Sequence, residues 1–365
     1  MERAPVPPQQ PTDRLAAVRE LARSGSLQAL DRYLYRENSA HRGDWTLDGG
    51  GLVRLLQEMP VKRRVRLLCR MSEGLEETAV HAPPECRGLA TLNVLLAQGL
   101  SAEQLAPWRE PLMAEAAGRL VVWEGWRLTA LLEADLAAGR ELPADVLATA
   151  RRTALLATAP GGLPSVVGRF AGSVLNPGEP WADRALADLA DLAGEQDGTD
   201  WRALLAHALT ATGARATAKW LRAGRPLVDA VGPDRLREAV AGWFALVGQP
   251  RRHALQAFQH SGPALHDPDP YNWRALPGLA ALLALTPPHP EAAEALGALV
   301  EAALIRIRGF GPRSPLTASA AVRALTALGG PDVRAELERL LPVVTAGPLA
   351  YKPTAKAVVA ALAGG

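Results

Sequence analysis

Apolar residues recur every three or four positions in short blocks along almost the whole chain, and Gly and Pro separate the blocks. That spacing puts each block on one face of an α-helix, with Gly and Pro marking where helices stop and start. Leu15, Val18 and Leu21 form the first stripe, behind a cap at Pro11-Thr12-Asp13, and Leu27, Leu30 and Leu34 form the second. Gly51–Met59 and Val61–Met71 predict the next pair, with Val61, Val65 and Leu68 sharing the apolar face of the second. Pro83–Leu100 and Ser101–Leu120 follow, and Ser101 with Gln104 three residues on is a capping box. Trp123-Glu124-Gly125-Trp126 opens a helix with Leu128, Leu131, Leu132 and Leu136 on one face. Further helices are expected from near Pro143, Pro164, Pro180, Asp200, Pro233 and Gln249, each about 12 to 18 residues long.

The C-terminal part is organised around Ile305-Arg306-Ile307-Arg308-Gly309-Phe310-Gly311-Pro312-Arg313. A helix opened by Pro290 carries Leu296, Leu299, Val300, Leu304 and Ile307 at helical spacing, and Gly309 and Gly311 are expected to stop it. Pro315–Leu328 predicts the next helix, and Val333, Leu337, Leu340 and Leu341 the stripe of another. The expected architecture is all-α, a HEAT-like α-solenoid of stacked antiparallel helix pairs with a loose period of about 35 to 45 residues per pair. Residues 1–11 read as a loose Pro-rich start, 12–265 as a helical repeat array and 266–365 as a C-terminal helical segment, with the Pro-rich stretch His260–Pro270 between the last two.

Composition agrees with helices. Of the 365 residues 48% are apolar, mostly Ala and Leu, and β-branched residues are sparse. A formal charge of +2 creates no global field toward nucleic acid or a membrane surface. Cys69 and Cys86 have no metal spacing, and two cysteines are too few for a disulfide scaffold, which suits a reducing compartment. No apolar run approaches the ~20 residues of a membrane span, so a cytoplasmic protein is expected.

Chemistry-bearing candidates are few. Lys62, Arg63, Arg64, Arg66 and Arg70 make Val61–Met71 the most basic helix, with Lys62, Arg66 and Arg70 on one face. That face suits contact with phosphate or a partner, and an ordinary solvated helix face is the simpler expectation. Trp45, in a Gly-rich loop, and Trp123 and Trp126, three apart on a helix, are candidate aromatic anchors or ordinary packing residues. His260, His266, Asp267 and Asp269 match no metal-ligand spacing. Neither a Gly-rich phosphate loop nor a zinc-protease or nucleophile-elbow motif is present, so no catalytic residue, metal or cofactor is expected.

The layout Asn272-Trp273-Arg274-Ala275-Leu276-Pro277-Gly278-Leu279, then Ile307-Arg308-Gly309-Phe310-Gly311-Pro312-Arg313-Ser314, then Ala321-Val322-Arg323-Ala324-Leu325 resembles the helical repeat region of bacterial DUF4132 (MolR-like) proteins, with Arg308 in place of that family's first turn proline. The resemblance spans the last quarter of the chain. It implies a HEAT-like fold, a bacterial context, and protein partners such as a MoxR-type ATPase or a von Willebrand A protein. The same turn is similar to the hairpin of helix-hairpin-helix DNA-binding motifs, through Ile307, Gly309, Phe310, Gly311 and Arg313, whose backbone N–H groups would meet a phosphate. Two functions follow as expectations: a non-catalytic scaffold or adaptor for protein partners, or a nucleic-acid-binding HEAT-like protein, including a DNA-glycosylase-like enzyme. The last requires a carboxylate beside a Trp in a concave basic groove.

Overall fold

The computed structural model describes residues 11–24, 26–40, 50–73, 84–122, 125–156, 159, 162–192, 194, 196–256, 263–264, 268–307 and 311–364. Helix accounts for 72% of these residues, in 18 α-helices, so the fold is all-α. The chain divides into two compact units, residues 1–171 with 256–262, and residues 172–255 with 263–365.

The first unit holds α1 (Pro11–Ser24), α2 (Leu27–Ala40), α3 (Gly50–Gln57), α4 (Val61–Glu73), α5 (Pro84–Ala97), α6 (Ala102–Ala117), α7 (Gly125–Ala137), α8 (Ala144–Ala154) and α9 (Leu163–Val167). Each helix packs against the one after next, α1 on α3, α2 on α4, and so on to α7 on α9. Leu30, Leu34, Leu56, Leu67, Leu68 and Leu92 are fully buried between them. The capping box on α6 forms, with Gln104 N–H donating to Ser101 Oγ at 3.3 Å and Ser101 N–H to Gln104 Oε1 at 2.8 Å. Several polar side chains in this core are tied down by hydrogen bonds, as burial favours. Trp108 Nε1 donates to Ser72 Oγ at 2.7 Å, and Arg109 grips the fully buried Asp135 through Nε and Nη2, both at 2.8 Å. Buried Arg152 holds the segment after α6, donating from Nε to the Leu120 carbonyl at 2.6 Å.

The second unit holds α10 (Pro180–Asp191), α11 (Gln196–Leu209), α12 (Ala218–Val231), α13 (Pro233–Phe244), a 3-10 turn (Asn272–Arg274), α14 (Ala275–Leu283), α15 (Pro290–Leu304), α16 (Pro315–Leu328), α17 (Pro331–Ala346) and α18 (Lys352–Gly364). From α12 onward each helix again packs on the one after next. Eight of the nine residues of α14 are buried, so this helix is apolar all round where most others carry one stripe. Its Gly278 meets α11 so closely that a Cβ there would lie 2.6 Å from Ala208 Cα and overlap the Ala208 carbonyl oxygen. At α15, Gly297 makes room for Glu336, which with Glu301 holds Arg339.

Three expectations are corrected. No helix starts at Gln249: Gly248 turns at φ +84°, Pro250 follows, and Arg251 is drawn into a buried polar cluster instead. Upstream, between α11 and α13, the chain forms a helix that the spacing did not announce, α12, whose Thr217 cap accepts from Trp220 N–H at 3.2 Å and whose interior Gly224 and Pro226 disguise it as loop. Helix α15 ends at Leu304, not at Gly309. Ile307 leaves the helical stripe for a two-residue strand, Arg306–Ile307, antiparallel to Gly311–Pro312 with Ile307 opposite Gly311. The β-branched Ile305 and Ile307 favour extended backbone. Hydrogen bonds from Arg313 N–H to the Ile305 carbonyl and from Ser314 N–H to the Ala303 carbonyl, both 2.9 Å, close the hairpin. Finally, Val61 is exposed, because α4 begins there; its buried face is Arg64, Val65, Leu67, Leu68 and Met71.

Two glycines inside helices test the packing. Gly278→Ala is expected to cost about 1–3 kcal/mol by overpacking against Ala208. Gly242→Ala, where nothing lies within 4 Å, should stabilise by about 0.5–1 kcal/mol. Urea midpoints of the two variants check this, and a similar shift in both would refute the close α11–α14 approach.

Candidate functional site

The basic helix α4 spends most of its charge on its own fold. The C-terminal carbonyls of a helix lack intrahelical donors and carry its negative dipole end. Arg63 Nη2 donates to the Leu21 carbonyl in α1 at 3.3 Å. Arg64 Nη1 donates to the Gln57 carbonyl at the end of α3 at 2.8 Å, and Nη2 reaches the Gln98 carbonyl beyond α5 at 3.5 Å. Arg64 is buried, and that burial lowers its pKa below the ordinary guanidinium value. Arg70 pairs with Asp31 of α2 at 3.4 Å. Lys62 and Arg66 remain on the exposed face, one turn apart.

The hairpin candidates lie in the other unit. Gly311 has φ +92°, a conformation that favours glycine. Arg313 is half-buried, and its guanidinium covers Gly248 so closely that a Cβ at 248 would overlap Nη1. Gly309, Trp45 and Trp123 lie outside the described residues, as does the side chain of Trp126, whose backbone belongs to α7. His260, His266 and Asp267 lie outside them too. Among the described residues no group of three His, Cys, Asp or Glu side chains is placed to hold a metal ion, and no helix is long and apolar enough to cross a membrane.

Two features converge on α10. The first is a buried polar cluster at its head. Glu179 precedes Pro180, which holds it extended at φ −91°, ψ 133°, and starts the helix behind it. Its carboxylate Oε1 accepts from Asp269 N–H at 2.9 Å and from Trp273 Nε1 at 2.8 Å, while Oε2 accepts from Asn272 Nδ2 at 3.1 Å. Asn272 Oδ1 in turn accepts from Asn176 N–H at 2.7 Å. Asp269 Oδ1 accepts from the N–H groups of Tyr271 and Asn272, at 2.9 and 3.2 Å, and so shapes the 3-10 turn. Arg251 Nη2 stands 3.9 Å from Glu179 Oε1 and 3.6 Å from Asp269 Oδ2. Burial pushes the Glu179 carboxyl up to about 7, against the pull of Arg251 and with the Asp269 charge adding to the rise. In the sequence Asp269 stood out as a weighed metal ligand, and Asn272 and Trp273 only as part of the layout that carries the family resemblance. The signal for the rest was polar residues framed by prolines, Asn176-Pro177-Gly178-Glu179-Pro180 and Pro268-Asp269-Pro270.

The second feature is an open cavity of about 310 Å³ along α10, α11 and α13. Trp201 and Trp243 meet edge to face at 5.4 Å and 62° on its floor. Asp188 accepts from Trp243 Nε1 and from Arg184 Nε, each at 2.8 Å. Arg235 and Glu238 complete the rim, and Arg235 Nη1 donates to Asp197 at 2.9 Å. This is a carboxylate beside a Trp, the geometry a glycosylase-like site requires. Two arginines and two carboxylates line it, Arg184 with Asp188 on α10 and Arg235 with Glu238 on α13, so the cavity is not basic, and Trp201 and Trp243 are 4% and 1% exposed, leaving little ring surface for a base to stack on.

Scanned against protein-family models, curated proteins and solved structures, the chain matches none.

The division of labour along α4 is directly measurable. Arg64→Ala is expected to cost about 2–3 kcal/mol, because it empties a buried site and takes the donor from the Gln57 and Gln98 carbonyls, whereas Arg66→Ala should stay within about 0.5 kcal/mol. Equal losses in urea unfolding would contradict the assignment of Arg64 to the fold and Arg66 to the surface.

Proposed function

We propose that the chain is a non-catalytic scaffold, a HEAT-like α-solenoid of stacked antiparallel helix pairs that binds protein partners on its exposed helical faces. The observation that carries the reading is the regular packing of each helix on the one after next, unbroken from α1 to α9 and taken up again from α12 to α18. Such a ladder makes a two-layered stack in which every repeat needs only its neighbours, and the outer faces are left to partners. The buried ionisable side chains support the same view. Asp135, Arg152, Glu179, Arg251 and Asp269 each tie one stretch of chain to another. The DUF4132-like C-terminal quarter adds the class of partner, a MoxR-type ATPase or a von Willebrand A protein in a bacterial multi-protein system. Lys62 and Arg66 are the basic residues that α4 leaves for contact with an acidic surface on that partner.

The alternative is nucleic-acid binding, and the same exposed Lys62–Arg66 pair favours it. In its glycosylase form it also draws on the Asp188–Trp243 contact, but the balanced charge of that cavity weighs against a polyanion.

Recovery of the tagged full-length protein from its native cells, with and without nuclease, decides between the two. The scaffold reading expects a stoichiometric protein complex that survives nuclease, co-elutes on size exclusion and weakens at least tenfold in the Lys62→Glu/Arg66→Glu variant. Recovery that vanishes with nuclease would replace it with the nucleic-acid reading.

A further inference from the structure

The outer face of α12 is made of cations and short side chains. Lys219, Arg222 and Arg225 are exposed at i, i+3 and i+6, and Arg215 is exposed two residues before the Thr217 cap. Around them the exposed residues are Ala218, Ala223 and Pro226, too short to hold a partner away. Arg225 is partly spent on the fold, donating from Nη1 to the Leu285 carbonyl beyond α14 at 2.9 Å. Arg215, Lys219 and Arg222 form no ion pair among the described residues.

The placement of these cations works against the helix. Its first turn carries the positive end of the helix dipole, where an acid is favourable and a cation is not. The helices on either side in sequence follow that rule, with Asp197 in the first turn of α11 and Asp234 in that of α13. Helix α12 has no acid there and carries Lys219 instead, with Arg215 just ahead of the cap. Attraction to an outside anion accounts for cations that helix stability disfavours. The face is also held in place. The Trp220 indole stacks on His207 of α11, with ring centroids 4.2 Å apart at 20°, and its Nε1 donates to Thr210 Oγ1 at 2.9 Å. The first turn of α12 is thus fixed before a partner arrives, which lowers the cost of binding.

We propose that this face, through Arg215, Lys219 and Arg222, docks an acidic segment of a protein partner. From Lys219 to Arg225 the row runs about 9 Å along the helix. Asp229, exposed one turn beyond, ends it. A row this short matches a few side-chain carboxylates, whereas a phosphate track would continue past Asp229. His207 also covers one face of the Trp220 ring, on which a base would have to stack. On the scaffold reading, on which this rests, the second unit thereby has a contact face of its own.

Binding of a labelled polyglutamate peptide to the full-length protein, followed by fluorescence anisotropy at low salt, tests the assignment, with an oligothymidylate of the same length as the second probe. Two charge-matched variants are compared, Lys219→Glu/Arg222→Glu on α12 and Lys62→Glu/Arg66→Glu on α4. The peptide should bind the native protein, weaken at least tenfold in the α12 variant and keep its affinity in the α4 variant. Lys219→Glu places an acid in the first turn, so the urea midpoint of the α12 variant should hold or rise, which separates lost binding from lost fold. No binding of the peptide, binding that survives in the α12 variant, or equal loss in both variants would overturn the proposal. Tighter binding of the oligothymidylate through α12 would overturn it in favour of nucleic acid. A nuclease-resistant complex recovered from cells alongside any of these failures would leave the scaffold reading standing and remove only the α12 face.

Discussion

A short helix with one apolar stripe has no way to bury that stripe alone, and this constraint shapes the whole chain. With most helices 11 to 16 residues long, each covers its neighbour's stripe and has its own covered in turn. The packing of each helix on the one after next is the regular solution, and it is the pattern on which the scaffold proposal stands. Where a helix has to fit more tightly than side chains allow, the chain supplies glycine. Gly278 lets α14 lie against α11, and Gly297 lets α15 accept the Glu336–Arg339 pair of α17.

Polar residues do the work that apolar stripes leave undone. A stack of short helices exposes many helix ends, each with unpaired carbonyls or N–H groups. Arg63 and Arg64 meet such ends at α1, α3 and beyond α5, and Arg152 does so after α6. The Glu179 cluster applies the same logic away from helix ends: seven hydrogen bonds join residues 176–179 to residues 269–273, and Arg251 stands within 4 Å of both carboxylates.

The helical class, the Ser101 capping box and most stripes were legible because they depend on local spacing and on residues next to one another. Leu128, Leu131 and Leu132 are buried on one face of α7 with Leu136 half-buried beside them, as their periodicity implies. What was not legible depended on distant partners. The sequence of α4 shows five basic residues; only the packing separates Arg64, inside, from Lys62 and Arg66, outside. Gln249 follows a glycine and begins a plausible helix, but Pro250 and the pull of a buried cluster on Arg251 keep that segment extended. Ile307 has helical spacing from Leu304, yet the hairpin bonds to Ile305 and Ala303 win. The Asp188–Trp243–Trp201 grouping joins three helices, and no spacing within one stretch announces it.

The most direct test of the account is a set of methyl–methyl contacts measured by NMR on the full-length protein with Leu and Val labelled. The account predicts contacts between each helix and the one after next along the whole of the first unit, and none between α1 or α2 and α7, α8 or α9. Contacts that close the first helices onto the last would show a sealed helical globule instead, and would remove the open faces on which the scaffold reading depends.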